Sequence, residues 1–298
     1  MAVNDPAQSN HPSVKHDIRW AGRWIVRGGY GVAVNAASMV YPNWRHRNDV
    51  SWLLMATMPN SGSTAIAKLL NHSTRIVELT NAGEGQWLHP AISAPGRRWD
   101  PDAKFDPDWL KRIWLSRVPA KPSPSVVFEK SPPNLCRMKA IYDALAPMER
   151  RVFCLTRDPL ATCASWFTRY KLANLMLGWC PEKRGTVKTE GDHLRLLGEL
   201  YGKRAGYLIG ARDLAGFTLS YEEICAEPER FINELRNMFP ILSDLDADAE
   251  IKVKDYEPMK LKNMNDRQIS KLTPDQADAI REGLDEYRAD VEELGYSF

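Results

Sequence analysis

Short apolar runs that alternate with helical patterns constrain this chain more than any other feature. Residues 50–58 (VSWLLMATM) are almost continuously apolar, as a strand buried on both faces must be. Residues 125–130 (SVVFEK), 150–157 (RRVFCLTR) and 217–223 (FTLSYEE) are three further β-rich runs. Helical patterns follow them, STAIAKLLNHS after the first run and PERFINELRNMF after the last. Strands that alternate with helices need crossover connections, which lay the strands parallel in one sheet.

The C-terminal segment reads as one scaffold helix. Thr273 caps it, Pro274 fits its first turn and Gln276 completes a capping box. Ala277, Ile280, Leu284, Tyr287, Val291 and Leu294 then form a single apolar stripe. Proline-rich stretches at 119–124 and 132–133 fall between elements, and no composition shift marks a boundary. The expectation is therefore one α/β domain over residues 49–298, preceded by a helical extension over residues 1–48.

That extension places Arg19, Arg23 and Arg27 four residues apart, with Trp20 and Trp24 on the neighbouring stripe. Such a segment can lie on a membrane surface or rest its tryptophans on the domain. Gly28 and Gly29 end the pattern and favour the second reading. A formal net charge of +2 argues against a dedicated nucleic-acid binder, so anion binding must rest on a few placed cations. Cys136, Cys154, Cys163, Cys180 and Cys225 are odd in number and never spaced C-x-x-C, which disfavours a disulfide framework or zinc site and suggests a reducing compartment. The polar first residues hold no apolar signal core, and no run is long enough to span a bilayer. The expected location is cytoplasmic.

The chemistry begins at TMPNSGSTA, residues 57–65. A strand, a tight loop and a helix N-terminus make an anion site, because N–H groups point outward and the helix dipole adds partial positive charge. Gly62 permits close backbone approach, and Ser61, Ser63 and Thr64 offer hydroxyls, with Pro59, Asn60 and Ala65 completing the loop. The pattern G-x-x-x-x-G-K-[ST] of nucleotide-triphosphate loops is absent, and Asn60 stands where a cation would be wanted. A second segment, LTRDPLATCASWF, ends a strand with Arg157, turns at Asp158 and Pro159, and places Ser165 eight residues after the arginine. A guanidinium at a strand end forks onto phosphate oxygens, and a hydroxyl from the next helix adds a directional bond. A salt bridge with Asp158 is the competing role for Arg157.

With both segments in view, the chain resembles the sulfotransferases that use 3′-phosphoadenosine-5′-phosphosulfate. In that family T-x-P-[KR]-S-G-[ST]-[ST] binds the 5′-phosphosulfate and R-[ND]-P-x-x-x-x-x-S binds the 3′-phosphate. Thr57, Pro59, Ser61, Gly62, Ser63 and Thr64 match the first pattern; Arg157, Asp158, Pro159 and Ser165 match the second. SYEEICAEPERF resembles the family's Y-E-D-L-x-x-x-P segment and offers Tyr221 as an adenine platform or as a core tyrosine. The resemblance implies a three-layer, P-loop-NTPase-like parallel sheet flanked by helices, and a reaction that needs no metal.

Sulfuryl transfer also needs a base, and positive charge on the transferring group. Glu84 lies between Gly83 and Gly85 in NAGEGQWLHP, where the carbohydrate and tyrosine-modifying branches carry a glutamate base; His89 is the competitor. FEKSPPN resembles the E-K-S-P segment of those branches and makes Lys130 the candidate cation, with Glu129 as a possible salt-bridge partner. The family's R-x-G-x-x-G-x-W closing loop is missing; YEPMKLKNMNDRQISKL stands there, with Lys260, Lys262 and Arg267 as replacements. Trp87, Trp99, Trp109, Trp114, Trp166, Phe167 and Tyr170 suggest an aromatic pocket for a small acceptor, although such residues are also core formers. A natural product, sugar or lipid hydroxyl, or an amine or carbamate nitrogen, fits equally. A P-loop small-molecule kinase and a non-catalytic adenosine 3′,5′-bisphosphate binder are the rivals.

Overall fold

The computed structural model describes residues 50–298 apart from 81–82, 95, 119–124 and 254–256, together with Val26, Gly29, Val32, Ala33 and Ala36. Those five residues are helical and exposed. The Arg/Trp segment at 19–27 lies otherwise outside the described residues, as does the rest of the expected extension.

Five parallel strands form one sheet: β1 (Val50–Thr57), β2 (Ile76–Glu78), β3 (Ser125–Glu129), β4 (Arg150–Thr156) and β5 (Ala215–Ser220). Their order is β2-β3-β1-β4-β5. The helices between and after them are α1 (Ser63–Leu70), α2 (Pro90–Ser93), α3 (Pro107–Arg117), α4 (Met138–Ala144), α5 (Pro159–Arg169) and α6 (Leu172–Gly178). They continue with α7 (Glu190–Arg212), α8 (Tyr221–Ala226), α9 (Pro228–Met238), α10 (Asn265–Ile269), α11 (Pro274–Leu284) and α12 (Arg288–Glu293).

Alternate residues of the strands feed two separate cores, which makes three layers. Trp52, Leu54, Ala56, Val152 and Cys154 face α7 and α11 on one side. Leu53, Met55, Phe128, Phe153 and Leu155 face α1 and α9 on the other, where Phe153 stacks with Phe128 and Phe217 and meets Phe231 at a tilt. α7, at 23 residues, supports the first face, started by a capping box of Thr189 and Asp192. Gly198 of α7 and Gly283 of α11 let the two backbones touch, because a Cβ on either would strike the other helix.

Two expectations change. The run at 217–223 ends as a strand at Ser220, whose hydroxyl and Glu223 form a capping box that starts α8, so Tyr221 opens a helix. The C-terminal stripe belongs to two helices. The chain tightens at Asp285–Tyr287, where the Tyr287 ring packs on Gly202.

β1 is central, and its outgoing connection leads to one side of the sheet while that of β4 leads to the other. A crevice must therefore open between the C-terminal ends of β1 and β4, where α/β sheets bind ligands. Thr57 and Arg157 stand at its two lips.

Candidate functional site

The loop after β1 turns through two left-handed residues, Asn60 (φ 60°) and Gly62 (φ 90°). Asparagine tolerates that region better than most side chains. Gly62 is pressed so closely against the Tyr221 ring that no Cβ would fit. The loop then delivers α1, where the Ala65 and Ile66 N–H groups bond the Gly62 carbonyl while Ser63 and Thr64, the first two residues of the helix, line the crevice. Ser61 is buried and its hydroxyl has no partner.

A web of hydrogen bonds joins this loop to the second segment. Arg157 Nη1 donates to the Asn60 carbonyl (2.6 Å), and its Nε donates to Asn265 Oδ1 (2.9 Å). Its Nη2 is buried without a partner. Asn60 Nδ2 donates to Ser165 Oγ (3.1 Å), and the Tyr170 hydroxyl donates to Asn60 Oδ1 (3.3 Å). Trp166 Nε1 holds the Pro59 carbonyl at 2.8 Å. Asp158 makes no ion pair with Arg157; its carboxylate caps α5 through the Ala161 N–H (2.7 Å). Glu222 accepts from Asn265 Nδ2, the Asp158 N–H and the Tyr296 hydroxyl, which braces the arginine from behind.

Behind the loop sits a buried cation. The Arg204 guanidinium lies 3.9 Å from the ring centre of Trp99, 4.4 Å from Trp179 and 5.2 Å from Trp166. Burial holds it down at about 9. Trp99, Trp114 and Trp166 are thus core residues.

The crevice opens as a cavity of about 140 Å³. Asn60, Gly62, Ser63, Thr64, Ala65, Arg157, Ser165 and Tyr221 form its inner wall. Ile251, Val253, Met259, Lys260, Lys262 and Gln268 are among the residues of the outer wall, and the exposed Arg169 also lines the cavity. Among the described residues four cations and no carboxylate line it, which suits a polyanion. Tyr221 carries the Arg157 guanidinium 4.4 Å over its ring and donates its hydroxyl to the Lys262 carbonyl (2.6 Å), so it acts as a floor for the arginine. Arg267 is exposed on α10 and does not line the cavity. None of the seven aromatic residues expected at an acceptor mouth lines it either.

Glu84 and Lys130 form a second cluster outside this wall. Lys130 Nζ is 3.8 Å from Glu84 Oε1, and Trp87 Nε1 donates to Glu84 Oε2 at 2.7 Å. The flanking glycines do not free the backbone around Glu84. A Cβ on Gly83 would crowd Glu78 and Lys130, and one on Gly85 would strike Leu79 and Trp114. Glu129 is not the partner of Lys130: its carboxylate accepts from the N–H groups of Gly85 and Ser131, the Ser131 hydroxyl and Asn134. Burial pushes it up to about 7 against those donors. Tyr170 links the clusters, since it bonds Asn60 and its hydroxyl feels the Glu84 charge. Its own ionisation is pushed up, mainly by burial.

His89 is not positioned as a base. It is fully buried, its Nδ1 accepts the Ala91 N–H (3.3 Å) to cap α2, and its ring packs on Trp109 and Phe105. Burial holds it down at about 4. Asn265 and Met264 join the site without any signal in sequence spacing, whereas Glu222 follows Tyr221 in the Y-E segment and Arg169 follows Ser165 by four residues. Among the described residues no group of three His, Cys, Asp or Glu side chains could hold a metal ion, and no helix is long and apolar enough to cross a membrane.

The backbone is similar to that of a sulfotransferase from Mycobacterium avium, with a TM-score of 0.53 at 14% identity, covering 93% of this chain and 82% of that one. A sulfotransferase from Alicyclobacillus acidocaldarius also matches (TM-score 0.44, 14% identity, 83% and 96% covered). So does the sulfotransferase domain of the Synechococcus PCC 7002 olefin synthase (0.39, 13%, 84% and 95%). No family model matches the sequence, and no curated protein does. The first likeness establishes the fold: the three-layer, P-loop-like parallel sheet expected from the sequence is that of a sulfotransferase.

Proposed function

We propose that this chain transfers the sulfuryl group of 3′-phosphoadenosine-5′-phosphosulfate to a hydroxyl, or to an amine or carbamate nitrogen, of a small acceptor such as a natural product, sugar or lipid. The observation that carries this proposal is Arg157 Nη2, buried and unpaired while the rest of its guanidinium is fixed. Leaving such a donor without an acceptor costs roughly 1–3 kcal/mol, and a phosphate oxygen removes that cost. Ser165 accepts from Asn60, so its own proton remains to be donated to the same phosphate. The other phosphate has the α1 N-terminus and the Ser61 hydroxyl.

The acceptor atom attacks sulfur in line with the bridging oxygen. The bond from sulfur to that oxygen breaks, and its electron pair leaves on adenosine 3′,5′-bisphosphate. Glu84, oriented by Trp87 and Lys130, takes the acceptor's proton. Lys130 offers the positive charge that the amide of Asn60 lacks. The cytoplasm is the proposed location, in keeping with five free cysteines.

A mass-spectrometric screen with the donor and an acceptor library tests the activity. Products heavier by one sulfuryl group are expected, formed without added metal. A second reading, a non-catalytic bisphosphate binder, is favoured by one observation: both ends of the Asn60 amide are already engaged. Tight bisphosphate binding with no product from any acceptor would establish it instead.

A further inference from the structure

The cations around the cavity differ in what they have left to give. Lys260 is neutralised by Asp248 at 2.8 Å. Arg157 retains one free edge, and Lys262, bonded by Tyr221 only through its backbone carbonyl, keeps an exposed ammonium with no ion pair among the described residues. Arg169 lines the cavity, is exposed, and makes no ion pair among the described residues. It follows Ser165 by four residues on α5, so both side chains stand on one helical face, one turn apart.

We propose that Arg169 is a specificity-determining cation that selects a doubly phosphorylated adenosine over adenosine 5′-phosphate, by meeting the phosphate held by Arg157 and Ser165. This rests on the donor proposed above. Each phosphate monoester carries about −1.5 to −2 charges near neutral pH, more than the single guanidinium of Arg157 balances. Arg169 brings a further positive charge to a cavity that no carboxylate lines among the described residues. Its place at the last turn of α5 would by itself favour a cation through the helix dipole. That role, however, does not distinguish one nucleotide from another.

Calorimetric titrations of adenosine 3′,5′-bisphosphate and adenosine 5′-phosphate into wild type, Arg169→Ala and Arg169→Lys separate the two roles. Arg169→Ala is expected to weaken bisphosphate binding about tenfold and 5′-phosphate binding less than about twofold. The loss should shrink as salt rises, because an exposed charge is screened within about 8 Å at physiological ionic strength. Arg169→Lys should recover most of it. Unchanged bisphosphate affinity in Arg169→Ala, or equal losses for both nucleotides, overturns the assignment. Equal affinity of wild type for the two nucleotides is a different result and refutes the donor itself.

Discussion

Replacing Lys130 by methionine removes the ammonium beside Glu84 while keeping a long side chain against Gly83. At 3.8 Å the pair attracts by roughly 4 kcal/mol for an effective dielectric of about 20. Keeping a buried ammonium out of water costs a similar several kcal/mol, so the two terms nearly cancel. Glu84 retains solvent contact and its bond from Trp87, which spares it an uncompensated burial. Folding stability should therefore change by about 1 kcal/mol or less. Catalysis should respond far more, by roughly a hundred- to a thousandfold, the scale of one electrostatic group lost from a transition state. Single-turnover transfer from isotopically labelled donor reads the rate, and calorimetry with adenosine 3′,5′-bisphosphate reads binding. A slow variant that still binds the nucleotide is the expected outcome. Full activity would refute the assignment of Lys130, as would a loss of nucleotide affinity as large as the loss of rate.

Glu84→Gln keeps an acceptor for Trp87 and should slow transfer about a hundredfold with donor binding nearly intact, measured in the same single-turnover assay. Asn60→Gly preserves the left-handed backbone but removes the amide that orients Ser165; bisphosphate binding should weaken about fivefold in calorimetry, the scale of one neutral hydrogen bond. Two buried groups shape the pH dependence of stability in opposite senses. Burial raises Glu129 from 4.5 to about 7, so the folded state holds the proton more tightly and loses stability as pH rises through that interval. Burial lowers His89 from 6.5 to about 4, so its contribution is present above 6.5 and is lost as pH falls toward 4. Each effect is worth up to roughly 3 kcal/mol, and together they should leave wild type nearly flat between about pH 4.5 and 6.5 in urea unfolding. Glu129→Gln should unmask stability that rises with pH over that range, and His89→Gln stability that falls.

The sheet was readable because its strands are buried on both faces, so β1, β3 and β4 appear as nearly unbroken apolar runs. β2 has three residues, only partly buried, and carries too little pattern to find. α7 carries a legible pattern too, since Leu194, Leu197, Tyr201, Ala205 and Leu208 recur at helical spacing with a capping box before them. At the site, the loop and the Arg157 to Ser165 pair are local in sequence, and the fold brings them together across 97 residues. Asn265 reaches Arg157 through tertiary position alone, so spacing could not reveal it. Glu129 and Lys130 are neighbours in sequence yet point to different partners, because successive residues at a strand end face opposite ways. His89 looked catalytic by residue type, and only burial and its capping bond show otherwise.

A crystal structure of the protein with adenosine 3′,5′-bisphosphate tests the central claim most directly. Oxygens of the 3′-phosphate should lie within hydrogen-bond distance of Arg157 Nη2 and Ser165 Oγ, with the 5′-phosphate at the backbone N–H groups that open α1. A 3′-phosphate that leaves Arg157 Nη2 unpaired, or a nucleotide bound away from the crevice between β1 and β4, would contradict it.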